Sequence, residues 1–392
     1  MYPSSAATGA LRGAVRGAML LESGLASCWE WPGVEVEDFL CAVRRQRLTE
    51  LLATHASALD LPQGATQALS RERDSARMGG LLLTRELGRL ATLFSETNIP
   101  FLVFKGQALA KQSTGDTFAR GNGDLDILIA PSSLAAAVEV LEAHEWSAAY
   151  DYPRAVDSWS WRHQLSTSWE MTFVGPHSYV DLHWRLGPTH RELPDFETAW
   201  RRRRLVDLGT VTVDSLALPD AFAHTCSHAA KDDWRWLRSI VDVHRLARQL
   251  STSGLDVALR PVDLMTLAVT DACIGLPPDV PASVLERSRA TSRRLVSRGL
   301  RAQDREVPRV GQHVHGAGLP QAALGSLRGN RAPDEVVRVV LGLLLPGRGL
   351  GKVTDRRAVT GMPKAGLLRA RTAAGLLWEW SRRNRRAVTR QR

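Results

Sequence analysis

Cysteine is scarce: Cys28, Cys41, Cys226 and Cys273 are all that 392 residues contain, with no CxxC pair and no regular spacing. That pattern excludes a disulfide framework, a zinc ribbon and thiol redox chemistry, and it suits a reducing compartment. Long apolar runs are missing as well. None approaches the ~18 residues that a membrane span needs, and residues 1–27 carry only a brief apolar patch beside Arg12 and Arg16, so a cleaved signal peptide is not expected. The expectation is a cytoplasmic protein without a membrane span. Lysine is nearly absent too, supplying five of the 51 basic residues, so arginine carries the net charge of +10. That excess is local. From Leu344 to the end there are thirteen basic residues against Asp355 and Glu379, which leaves the first 343 residues close to neutral. Any affinity for a polyanion such as RNA therefore belongs to the tail. No internal repeat is present.

What is there divides into four parts. Residues 34–98 show helical periodicity, with Phe39, Val43, Leu48, Leu51 and Leu52 followed by Leu81, Leu82, Leu87, Leu90, Leu93 and Phe94. Asn98 and Pro100 close that helical stretch, and residues 1–98 read as a helical N-terminal lead. Residues 99–215 read as an α/β core. Its strands are expected at 100–106, 124–130, 169–174 and 179–184, the last two joined by Gly175-Pro-His-Ser, with a helix from Pro131 through His144, another over 191–204 and a hairpin over 206–213. Helical periodicity returns over 221–230, 234–250, 262–276 and 282–298, so 216–345 reads as a helical domain, and 346–392 as a basic, disordered tail. The fold class is α+β.

The chemistry concentrates at strand ends. Asp124 and Asp126 are two apart on a strand, so both side chains leave the same face. Two adjacent carboxylates repel unless a cation separates them, and a hard divalent ion is the natural partner. Asp181, in Tyr179-Val-Asp-Leu-His-Trp184, is a third acid on a strand able to lie beside the first. Three such acids suit two metal ions acting at phosphorus. The Lys105-Gly106 turn offers a backbone amide to a phosphate. His183 is read as alternating away from Asp181 and as structural. His224 and His228, four apart on a helix, lack a third ligand, so packing is favoured for His224. Eight of the 12 tryptophans fall between Trp146 and Trp236, most of them expected in the core.

Phe101-Leu-Val-Phe-Lys-Gly106, Gly123-Asp124-Leu-Asp126-Ile-Leu-Ile and Val180-Asp181-Leu-His183-Trp184 together resemble the DNA polymerase β-like nucleotidyltransferase superfamily. Arg120-Gly-Asn-Gly-Asp124 fits its branch of uncharacterised bacterial nucleotidyltransferases, and the resemblance covers roughly residues 70–250. It implies a polymerase β-like palm, with a mixed sheet and helices, beside a helical domain. It further implies Mg²⁺ or Mn²⁺ on Asp124, Asp126 and Asp181, and an NTP, with ATP favoured. Lys105, Gly106, Gln107, Arg120 and Lys231 are the expected contacts to that nucleotide. Gln107 departs from the serine or glycine common after the turn glycine. The implied reaction is transfer of an NMP to an acceptor hydroxyl on a small molecule, peptide or protein. The alternatives are a toxin-type enzyme acting on RNA, particularly a tRNA end, and a non-catalytic regulator with a degenerate palm.

Overall fold

The computed structural model describes residues 2–156, 158–251, 259–305, 327 and 332–344. The basic tail over 346–392 lies outside the described residues. Four helices come first: α1 (Ser5–Glu22), α2 (Val36–Gln46), α3 (Thr49–His55) and the 34-residue α4 (Gln63–Glu96). The α/β segment follows as β1 (Phe101–Val103), α5 (Gly106–Thr114), β2 (Asp124–Ile129), α6 (Leu134–Ala143), β3 (Ser147–Ala148), α7 (Trp159–Thr167), β4 (Glu170–Val174), β5 (Tyr179–His183), α8 (Phe196–Arg202), β6 (Arg204–Asp207) and β7 (Thr212–Ser215). The chain then turns helical: α9 (Leu218–Lys231), α10 (Leu237–Ser251), α11 (Pro261–Ile274), α12 (Ala282–Arg289), α13 (Arg293–Asp304) and α14 (Pro333–Leu344). The protein is α+β, with a mixed sheet between helical regions.

The seven strands run in the order β3-β4-β5-β2-β1-β7-β6. β2 pairs parallel with β5 and antiparallel with β1, and β4 pairs antiparallel with β5. Strand alternation sorts the sheet into two faces. Leu125, Ile127 and Ile129 of β2, Val180 and Leu182 of β5, and Met171 and Phe173 of β4 join one core with Leu83, Leu87, Leu90 and Phe94 of α4. Leu128 enters the opposite core, with Phe222 of α9 and Val243 of α10. Asp124 and Asp126 share the parity of Leu128, so they open toward the α9–α10 layer.

Several elements differ from the sequence expectation, each for a local reason. The helix expected over 191–204 shrinks to α8, because Asp195 accepts from the Thr198 amide as its N-cap and Arg204 enters β6. The helix expected over 282–298 breaks at Ser292 into α12 and α13. Helix α1 falls within the expected helical lead, ahead of the stretch whose periodicity is read from residue 34, and helix α7 lies where no helix is expected. Ser4 and Ser158 cap them by accepting from the amides of Ala7 and Trp161. The N-terminal lead also does not pack alone: Leu11, Val15, Phe39 and Leu52 share a core with Trp234 in the turn after α9, Ile240 of α10 and Val269 of α11. Helix α4 links the two layers, Leu69 entering that core and Phe94 the sheet core.

Candidate active site

Register brings the acids together. Asp126 lies directly opposite Asp181 across β2 and β5, and β4 places Thr172 opposite Asp181 and Glu170 opposite His183. Since residues two apart share a face, one sheet surface carries Asp124, Asp126, Asp181, His183, Glu170 and Thr172. This corrects the expectation for His183. It sits two residues after Asp181, so it projects on the same side, and ligand atoms of Asp126, Asp181 and His183 lie within 4.8 Å of one another. Asp126 and His183 are buried, while Asp181 and Asp124 are partly exposed.

These groups are electrostatically divided. Lys105 Nζ stands 2.6 Å from Asp126 Oδ1, and His183 Nε2 is 3.2 Å from the same oxygen. Burial opposes ionisation of Asp126, but Lys105 and His183 outweigh it and hold its pKa far below the usual carboxylate range. An ionised Asp126 only accepts, so His183 Nε2 carries the proton of their hydrogen bond. Burial likewise disfavours the Lys105 ammonium, yet Asp126 and Glu170 raise its pKa overall. Asp181 goes the other way: burial, with Glu170 and Asp126 nearby, pushes its pKa up to about 7, despite a hydrogen bond from Thr172 Oγ1 at 2.7 Å. Glu170, itself 3.6 Å from His183 and accepting from Trp169 Nε1 at 2.8 Å, escaped sequence reasoning. Its signal was the hairpin: counting back through Gly175-Pro-His-Ser from His183 reaches Glu170.

A divalent cation fits these residues. Four carboxylates, Asp124, Asp126, Asp181 and Glu170, face one lysine, and the elevated Asp181 marks negative charge that Lys105 does not neutralise. The donor set is oxygen-rich with one imidazole, as hard and borderline divalent metals require. His183 Nδ1 is buried and makes no hydrogen bond.

Around the acids the expected nucleotide contacts diverge. Gly106 opens α5 with φ of +54°, and a Cβ there would come within 2.8 Å of Asn122 Nδ2, so glycine is required for both backbone and space. Gln107 turns away from the strand ends: its Nε2 donates to the Gly80 carbonyl of α4 at 2.6 Å, and the side chain is buried. Arg120 is also committed, its Nε 2.8 Å from Asp242 of α10. Lys231 stands across a cleft with its Nζ 5.5 Å from the Trp169 ring centroid.

That cleft, open to solvent, runs between the acid face and α9, bordered by Glu170, His183, His228 and Lys231 with an apolar floor of Leu186 and Pro188. His224 and His228 line it together. Burial, reinforced by the neighbouring lysines, drives both imidazoles well below their ordinary pKa and leaves them neutral. His224 packs edge-on against Phe104 with centroids 5.0 Å apart, as expected for packing.

Among the described residues no helix is long and apolar enough to cross a membrane. No curated protein and no solved structure matches the chain. A family model described as an uncharacterised nucleotidyltransferase matches residues 32–260, which contain the whole sheet, the acid face and α9 and α10. The in-register acids, the Lys-Gly turn and that match over more than half the chain lead to one conclusion: the protein is a nucleotidyltransferase belonging to the uncharacterised nucleotidyltransferase family.

Proposed function

We propose that the enzyme moves an NMP group from an NTP, with ATP the favoured donor, to a hydroxyl of a small molecule or peptide and releases pyrophosphate. The observation that carries this reading is the pairing of Asp126 with Asp181, with Asp124 on the same face and with Lys105, Glu170 and His183 beside them lining a cleft. Magnesium or manganese held by Asp124, Asp126 and Asp181 would neutralise phosphate charge and ease deprotonation of the acceptor hydroxyl. Lys105 and His183 keep Asp126 ionised and fix its orientation. Asp181, on the same face, would also accept the hydroxyl proton. The acceptor oxygen bonds to the α-phosphorus as the bond to the bridging oxygen breaks, and the electron pair leaves with pyrophosphate.

The apolar floor of the cleft, with Trp169, His228 and Lys231 beside it, suits a compact acceptor better than an RNA end. Incubation with α-labelled NTPs, Mg²⁺ or Mn²⁺ and fractionated cell extract tests the reading. A product heavier by one nucleotide supports it, and serial additions point instead to an RNA-tailing enzyme. No labelled product from four NTPs would favour the regulator.

A further inference from the structure

Beyond the loop 119–123 that leads into β2 lies a second pocket, sharing no lining residue with the cleft, where four arginines converge: Arg47, Arg120, Arg238 and Arg245. Two are already neutralised. Arg120 pairs with Asp242, and Arg245 grips Glu22 through Nε at 3.1 Å and Nη2 at 2.5 Å. Glu50, also on the pocket wall, is taken by Arg77. Among the described residues Arg238 donates only to the Gly121 carbonyl, at 3.2 Å, and Arg47 stands exposed on the left-handed C-cap of α2. Among the described residues neither has a carboxylate within ion-pair distance. The loop between them and the acids is open: a Cβ on Gly121 or Gly123 would meet nothing within 4 Å.

We propose that Arg238 and Arg47 seat the β- and γ-phosphates of the NTP and hold the departing pyrophosphate. The proposal rests on the nucleotidyl-transfer reading and assigns the phosphate role to two residues other than Arg120. Guanidinium forks match phosphate oxygens, and a partly buried guanidinium without a counter-charge is stabilised by gaining an anion. Burial, with Arg120 and Arg47 close by, lowers the pKa of Arg238 to about 9, the sign of a cationic surplus. Asp124 acts on both Arg120 and Arg238, so the pocket adjoins the acid end of β2. Acceptor cleft and arginine pocket then border the reacting phosphorus separately, one for the attacking hydroxyl and one for the leaving group.

Calorimetric titration of the full chain with inorganic pyrophosphate, in chelator so that no metal contributes, reads the guanidiniums directly. Wild type should bind saturably. Arg238→Gln should weaken binding roughly tenfold, the loss of about one charged hydrogen bond, and adding Arg47→Gln should weaken it further. Arg238→Lys, which keeps the charge and loses the fork, should fall between. Lys231→Gln should lose less than Arg238→Gln, and Arg203→Gln, at the β6 edge of the sheet where it pairs with Asp214, should stay within about twofold of wild type on the same scale. Thermal melts check folding, and Arg47→Gln alone keeps the test alive if Arg238 variants misfold. The proposal is overturned if wild type binds no pyrophosphate, if the double variant binds like wild type, if Lys231→Gln causes the larger loss, or if an oligoribonucleotide binds where pyrophosphate does not. Failure of the transfer reading would look different: no nucleotide product from wild type, with pyrophosphate binding intact.

Discussion

The two flanks of the β2 strand end carry opposite surpluses. Toward α9, Asp124, Asp126, Asp181 and Glu170 face Lys105. Toward α10, Arg47, Arg120, Arg238 and Arg245 face Asp242 and Glu22. Each flank neutralises some of its charges by close pairing and leaves others over. The paired groups are the buried ones, since an unpaired buried charge is costly: Asp126 with Lys105, Arg120 with Asp242. The leftovers are more accessible, and their signs name what each flank receives, cations on one side and phosphate on the other. Residue type alone therefore misleads. Arg120, the phosphate contact expected from the sequence, pairs through Nε with Asp242, while among the described residues Arg238 and Arg47 have no carboxylate within ion-pair distance.

The comparison can be broken from the acid side first. Alanine at both Asp124 and Asp126 should reduce nucleotide transfer by on the order of 10³-fold or more, the scale of losing electrostatic stabilisation of a transition state, in a chain that still folds but melts lower because Lys105 loses its counter-charge. Full turnover by that variant sinks the scheme. Replacing Lys105 by Met leaves Asp126 without its cation, and urea unfolding in chelator should show a loss of about 3 kcal/mol. Millimolar Mg²⁺ or Mn²⁺ should recover part of it, and a variant indifferent to both would show that Lys105 is not the counter-charge.

On the arginine side the pair of Glu22 with Arg245 sets an acid limit. Burial alone would raise the Glu22 pKa, but His55 and Arg245 lower it to about 2, below the unfolded value of 4.5. Its stabilisation, roughly 2–3 kcal/mol, is complete above the unfolded pKa and disappears as the pH falls from about 4.5 toward 2. Wild type and Glu22→Gln should thus converge in stability at low pH and diverge near neutrality, and parallel curves would refute the assignment. The smallest effect is expected at the turn. Gly106→Ala forces a left-handed alanine against Asn122, costing about 1–2 kcal/mol, measurable as a lowered melting temperature.

Local pattern made much of this legible. The Lys105-Gly106 turn, the strand of Asp124 and Asp126, and the hairpin of β4 and β5 follow from period and breakers, because alternation and turn chemistry act over a few residues. The expectation for His183 failed on the same count: two residues after Asp181, it shares that face rather than turning away. Glu170 needed the hairpin register in addition. Helix α7 was hidden by a weak apolar pattern interrupted by Arg162, His163 and Gln164, and the bounds of α1 within the helical lead were not legible because its apolar face is spent on α11 and on Trp234.

The sequence by itself determined which side chains share a face of a strand and where the acids concentrate, since covalent geometry enforces both within a few residues. Only the tertiary structure decided which charges are neutralised. Asp126 meets Lys105 across 21 positions, Arg120 meets Asp242 across 122, and Arg245 meets Glu22 across 223. Ion pairing depends on distance in space, and nothing local reports that distance until α1, α10 and the sheet have packed.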